Sequence, residues 1–259
     1  MIRLCRLYSL YLCLAAVVLA ASDPCDAAGF RNLFGYTYID YEGIGTSHVL
    51  ENTLISQVRP GLSLLTRLYH DRRSDWNNSI VTIGPVINIG RYHYIEVTYG
   101  YGRDSDKRRA DYLGLELTRE TPKYLAAVGF KHSAYPGYDY YTLSPSVKYY
   151  ITPRIALWGK YFASIDSDDN FDHAYWTDVE VGITARTAVR CGVTGGNRLY
   201  SPEYESVFGG KADMRFFSVL AQLSYRITER FMVKYVFEDL TRQSKYTDIK
   251  NTFVIDARF

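Results

Sequence analysis

Apolar and polar residues take turns along most of this chain, with a period of two. Phe231, Val233, Tyr235 and Phe237 are interleaved with Met232, Lys234, Val236 and Glu238, and Phe253, Ile255, Ala257 and Phe259 with Thr252, Val254, Asp256 and Arg258. The stretch 175–186 repeats the pattern, as do Leu113, Leu115 and Leu117 against Gly114, Glu116 and Thr118. Successive side chains of a strand point to opposite faces, so each segment predicts a strand with one apolar face and one that carries charge in mid-strand. No helical stripe of useful length follows Ser22. The chain reads as all-β.

A soluble sandwich would alternate too, so the connections have to discriminate. From Arg31 to Phe259 the pattern gives about 14 strands, with 12 as the lower count, each of roughly 10–13 residues and long enough for a tilted membrane crossing. Tight turns are expected at Arg59-Pro60, Gly90-Arg91, Glu120 to Pro122, Thr152-Pro153, Arg186-Thr187 and Thr228-Glu229. Longer polar connections are expected at His70 to Asn78, Gly102 to Arg109, Ala134 to Asp139, Ile165 to His173, Tyr200 to Asp213 and Asp239 to Tyr246. Strict alternation of short and long is the rhythm of a closed antiparallel transmembrane β-barrel. Closure is required because hydrocarbon offers no partner for an unpaired backbone group. The register of the first two strands, Leu33 to Gln57, is ambiguous, because their alternation is weak.

The chain has 25 Tyr and 12 Phe, and its 15% aromatic content asks for an amphipathic boundary. With the apolar faces turned to lipid, two girdles are expected. Tyr124, Tyr149, Tyr225, Phe231, Phe253 and Phe259 fall toward the short turns, and Tyr99, Tyr101, Phe130, Tyr141, Tyr161, Tyr175, Phe217, Tyr235 and Phe237 toward the long loops. Val, Ile, Leu and Ala dominate between them. The net charge of +2 gives no basic footprint for nucleic acid.

Residues 1–22 have the form of a secretory signal peptide: Arg3 and Arg6, an apolar run from Leu7 to Leu19, then Ala20, Ala21 and Ser22. Residues 23–30 are expected as a short periplasmic segment and 31–259 as the barrel. Cys5 and Cys13 depart with the signal, and Cys25 and Cys191 alone make no disulfide framework. The terminal Phe253-x-Ile255-x-Ala257-x-Phe259 pattern resembles the assembly signal of bacterial outer-membrane proteins. It implies the barrel-assembly machinery as a partner beside outer-membrane lipid and lipopolysaccharide.

The segments Lys148 to Trp158 and Gly196 to Tyr204, with the Tyr-rich strands around them, resemble the YaiO-type outer-membrane β-barrel family. The resemblance implies a Gram-negative outer-membrane location and supplies no catalytic motif.

The inward register carries the candidate chemistry: Arg67, Glu96, Glu116, Lys131, Lys148, Lys160, Asp178, Glu180, Arg190, Arg198, Lys234, Glu238, Asp256 and Arg258. Either these charges line a narrow pore for small polar or glycan solutes, or they pair across the lumen and plug it. Their mixed signs argue against strong ion selectivity. No cofactor and no metal site is expected. The acidic run Asp166 to Asp172 lacks the Gly and distal Glu of a calcium loop, and no Cys or His pair has zinc spacing. Arg72, Arg73, Arg103, Lys107, Arg108 and Arg109 make two loops basic and suited to lipid phosphates. A lipid- or lipopolysaccharide-modifying enzyme is the alternative to a channel: no nucleophile elbow is present, but His70 and His173 lie at loop bases, where a Ser from another strand could meet them. A third reading is adhesion or assembly through the Tyr200 to Asp213 loop.

Overall fold

The computed structural model describes residues 29–42, 45–73, 77–104, 109–135, 138–197, 215–242 and 246–259. The expected signal peptide, the loop 200–213 and Arg198 lie outside the described residues. The strands are β1 (Phe30–Tyr41), β2 (Gly45–Arg59), β3 (Leu62–Arg72), β4 (Asn77–Gly90), β5 (His93–Asp104), β6 (Arg109–Glu120), β7 (Tyr124–Tyr135), β8 (Tyr138–Thr152), β9 (Ile155–Asp166), β10 (Phe171–Gly182), β11 (Thr187–Gly196), β12 (Phe216–Arg226), β13 (Phe231–Arg242) and β14 (Tyr246–Arg258). Each pairs antiparallel with the next, and β1 pairs with β14 to close the sheet. The expected closed barrel is thus the fold, with 14 strands.

One face of this cylinder is apolar and exposed. Leu115, Val147, Val219 and Ile255 stand out from mid-wall with nothing packed over them. A soluble fold would bury such a belt against a second layer; here a hydrocarbon surround is the environment that satisfies it.

Two expectations need correction. The connections opposite the termini are not long: β3 runs on to Arg72 before β4 starts at Asn77, β5 reaches Asp104 before Arg109, and β7 reaches Tyr135 before Tyr138. The ladders continue beyond the apolar band, where hydrophobic alternation no longer marks a strand but backbone pairing persists. Between Gly196 and Phe216 alone do the described strands leave a wide gap. Second, the girdle assignment separated Phe253 from Tyr235, yet the two are direct register partners with ring centroids 5.0 Å apart. They share one height on the wall.

The weak alternation of the first two strands also has a reason. Asn32 and Asn52 project outward, and the Asn52 amide donates to Asn32 Oδ1 at 2.9 Å. Polar residues satisfy each other on a face that is otherwise apolar, so the pattern loses contrast while the register holds.

Turns at the rim that carries both termini (the near rim) share a device. Thr152, Thr184 and Thr228 each accept, through Oγ1, backbone N–H groups two and three residues on, at 3.0–3.2 Å. The hydroxyl replaces ladder bonds that the chain loses as it reverses.

The β4–β5 ladder skips Gly84 and Pro85, Pro having no N–H to give. The backbones close in there: a Cβ on Gly84 would lie 1.8 Å from the Val97 carbonyl oxygen. Gly84→Ala is therefore expected to cost about 1–3 kcal/mol of stability. Urea unfolding in lipid vesicles, read by heat-modifiable migration, measures it; an unchanged midpoint would show that the strands separate freely.

Candidate functional site: the barrel interior

Strand register assigns every described residue of the interior set to the inward face. Arg67, Glu96, Glu116, Lys131, Lys148, Lys160, Asp178, Glu180, Arg190, Lys234, Glu238, Asp256 and Arg258 all share it. Contacts between strands that are not neighbours establish that this face encloses a common space. Lys148 on β8 donates to Glu180 on β10 at 3.0 Å, and Lys160 on β9 lies 3.9 Å from Glu116 on β6. The interior divides into three zones.

At the near rim Asp256 is 1% exposed and holds the closing seam. Its two oxygens accept from Arg31 Nε at 2.9 Å and Nη2 at 2.6 Å, and Lys234 and Arg258 both approach to 3.8 Å. Two parallel N–H···O bonds fix geometry as well as charge. They join the first strand to the last, where no hairpin does so.

Toward mid-height on β8–β11, Trp158, Trp176 and Arg190 stack. The indole centroids are 4.6 Å apart, and the guanidinium carbon lies 4.7 Å from one ring and 4.5 Å from the other. Asp178 accepts from Arg190 Nη2 at 2.5 Å. Lys148 lies 5.9 Å from the Trp158 ring and pairs with Glu180. Cation–π contact of this kind contributes about 0.5–2 kcal/mol and keeps the guanidinium flat against the wall. Sequence reasoning missed both tryptophans because it sorted aromatics to the lipid side; their parity with Lys160 and Asp178 was the available signal.

The adjoining wall on β5–β7 alternates small inward residues with Glu96, Glu116 and Lys131. Gly100, Gly114 and Gly129 point inward on β5–β7 against Thr82, Thr98 and Ser144, whose hydroxyl oxygens would lie 2.5–2.9 Å from an added Cβ.

Toward the opposite, far rim inward apolar side chains gather. Ile39, Tyr41, Val49, Tyr69, Ile80, Ala110 and Tyr112 form a buried cluster on β1–β6, joined by Tyr135. The Tyr135 ring sits edge-on to both Tyr112 and Tyr140, at 5.9 and 6.0 Å. Ser47 donates to Asp71, which also accepts from Arg73 at 3.0 Å, and the Arg73 guanidinium lies over the Tyr41 ring at 4.9 Å. Arg73 is thus drawn inside and does not join a basic outer loop with Arg72. These tyrosines account for part of the aromatic content that the girdle expectation assigned to lipid.

On the outer face stand Tyr99, Tyr101, Phe130, Tyr141, Tyr149, Tyr161, Tyr175, Phe217, Tyr225, Phe231, Tyr235, Phe237, Phe253 and Phe259, all exposed, and Tyr124, half-buried beneath Arg119. His173 lies 6.3 Å from both Tyr161 and Phe171 as a stacked interfacial ring. The acidic run is a turn: Asp166 Oδ1 accepts the backbone N–H groups of Asp168 and Asn170 at 2.9 Å.

A closed cylinder of tilted strands, greasy outside and charged within, defines the class: the fold is that of the outer-membrane β-barrels. No family profile matches the sequence, and no curated protein does. Among solved structures the chain is similar to the CymD monoaromatic hydrocarbon channel, at 8% identity and a TM-score of 0.59, covering 91% of this chain and 89% of that one. An outer membrane channel from Pseudomonas putida F1 is similar at 9% identity and a TM-score of 0.57, over 91% and 97%. The Acinetobacter baumannii outer membrane protein Omp33 is similar at 12% identity and 0.53, over 90% and 98%.

Proposed function

We propose that the protein is a narrow outer-membrane channel for small polar solutes, glycan fragments included. One observation carries the reading. On the inward face, the carboxylates of Glu116 and Glu180 keep 37% and 39% of their side-chain surface accessible, and Arg67, at the middle of β3, is exposed to the same interior. Charges held in a closed cylinder remain accessible only if water fills it. Among the described residues the ion pairs support this, since most join neighbouring or next-neighbouring strands and lie along the wall, Lys160–Glu116 reaching one strand further. A plugged or purely structural barrel would pair them across the lumen. Two of the similar structures are channels, which is in keeping with the proposal, though the charged near half here suits polar solutes better than hydrocarbons. Membership of the YaiO-type family belongs to the same proposal; Lys148 to Trp158 forms the β8–β9 hairpin, while most of Gly196 to Tyr204 lies outside the described residues. Outer-membrane lipid and lipopolysaccharide are the surroundings that suit the apolar belt, and β14, with outward Phe253, Ile255 and Phe259, is suited to engage the barrel-assembly machinery.

Folded protein in planar bilayers is expected to give discrete openings with weak ion selectivity, because lumen charges of both signs are interspersed. Lys160→Glu, which turns the Glu116 pair into three like charges with Glu96, is expected to shift the reversal potential toward cation preference. Silent membranes containing heat-modifiable, folded protein would overturn the channel.

A further inference from the structure

One row of outward side chains crosses the far rim of β3–β6 at a single height. His70 pairs in register with Ser79, Ser79 with Arg103, and Arg103 with Arg109. The His70 Nδ1 and Ser79 Oγ are 2.8 Å apart, and Ser79 is exposed. A hydroxyl in hydrogen-bond contact with an imidazole is the nucleophile-and-base pair of ester hydrolysis. The two arginines face each other directly across a strand pair, an arrangement that costs stability when nothing neutralises it. Neither has an ion-pair partner among the described residues. The nearest carboxylate on that face, Asp111, receives the Tyr99 hydroxyl at 2.5 Å. Tyr99 and Tyr101 lie on the same outward face just below Arg103, so the row sits where aromatic side chains give way to headgroups. Among the described strand residues elsewhere on this rim the outward charges are acidic, with Asp40 on β1, Asp139 on β8 and Asp239 on β13.

We propose that His70, Ser79 and Arg103 form an ester-hydrolysing site that faces the lipid and acts on acyl esters of a phosphate-bearing lipid, Arg109 and Arg72 holding the phosphate. His70 Nδ1 takes the Ser79 proton as Oγ bonds to the ester carbonyl carbon. The C–O bond to the lipid alcohol breaks, and that alcohol leaves with the proton from His70. Water, deprotonated by the same imidazole, then releases the fatty acid and restores the serine. Arg103 is the cation beside the tetrahedral oxyanion, and its planar fork matches either that oxygen or a phosphate. The site is on the outside of the wall and independent of the channel; it rests only on the barrel lying in a membrane.

Two measurements on the folded full chain test it. A fluorophosphonate probe is expected to label Ser79 in detergent and in phosphatidylglycerol vesicles, and Ser79→Ala to abolish labelling. His70→Ala is expected to lower labelling and fatty-acid release by about a hundredfold or more. Arg109→Gln with Arg72→Gln is expected to raise KM for phosphatidylglycerol about tenfold and leave KM for an uncharged short-chain ester unchanged, whereas Arg103→Gln is expected to slow hydrolysis of both. Free inorganic phosphate competing as well as the lipid would remove the headgroup from the proposal. Folded, heat-modifiable wild-type protein that takes no probe and releases no fatty acid would overturn it, leaving His70–Ser79 a structural hydrogen bond. Arg154→Gln, on the opposite rim, is the control expected to change nothing.

Discussion

Asp256→Ala is expected to destabilise the barrel by about 2–4 kcal/mol, and far more than Arg31→Ala does. Asp256 is buried to 1% exposure and faces Arg31, Lys234 and Arg258, so deleting it leaves three cations crowded without their acceptor. Arg31 is 39% exposed, and its own removal leaves an aspartate that Lys234 still attends; water screens much of what is lost, and about 1 kcal/mol or less is expected. The position of the pair makes the asymmetry matter. β1 and β14 are the one adjacent pair joined by no hairpin, so the ladder between them pays the largest loop-closure entropy in the fold. Urea unfolding in lipid vesicles measures both variants. Equal effects would show that the seam is held by the backbone ladder alone.

Tyr112→Ala combined with Tyr135→Ala is expected to raise single-channel conductance several-fold. These rings and Tyr140 project inward at the far rim, edge against face, with Tyr41 and Tyr69 in the same buried cluster, so bulky rings crowd the passage there. Removing two of them widens the step that limits flow. Outward Tyr141→Ala, whose ring stacks on His132 at 4.7 Å, takes away a ring of the same size and is expected to leave conductance unchanged. Conductance equal to wild type in the double variant would place the constriction elsewhere, with the Trp158–Arg190 stack next in line.

Parity along each strand was legible because it needs only a period of two. Tyr175 and Val179 are outward and Trp176 and Asp178 inward whatever the rest of the barrel does. The near-rim turns were legible too, since Thr-Pro and Thr-Glu mark a reversal locally. Strand ends at the far rim were not: Arg72, Arg103 and Arg109 carry the ladder past the apolar belt, where hydrophobicity no longer alternates but the backbone goes on pairing.

The inventory of the interior was readable one strand at a time, and its partnerships were not. Which inward residues meet depends on the stagger of strands around a closed circumference, a quantity no single segment contains. That stagger sets Lys160 against Glu116 across three strands and stacks Arg190 on two indoles. It also brings Arg31 to Asp256 from opposite ends of the chain and sets Phe253 level with Tyr235. Alternation by itself determined which side chains share a face, and with the spacing of the turns and the aromatic content it pointed to a closed sheet. The tertiary structure decided the rest: hairpin register set His70 beside Ser79 on the outside, and closure with its stagger brought Arg31 to Asp256 and Lys160 to Glu116.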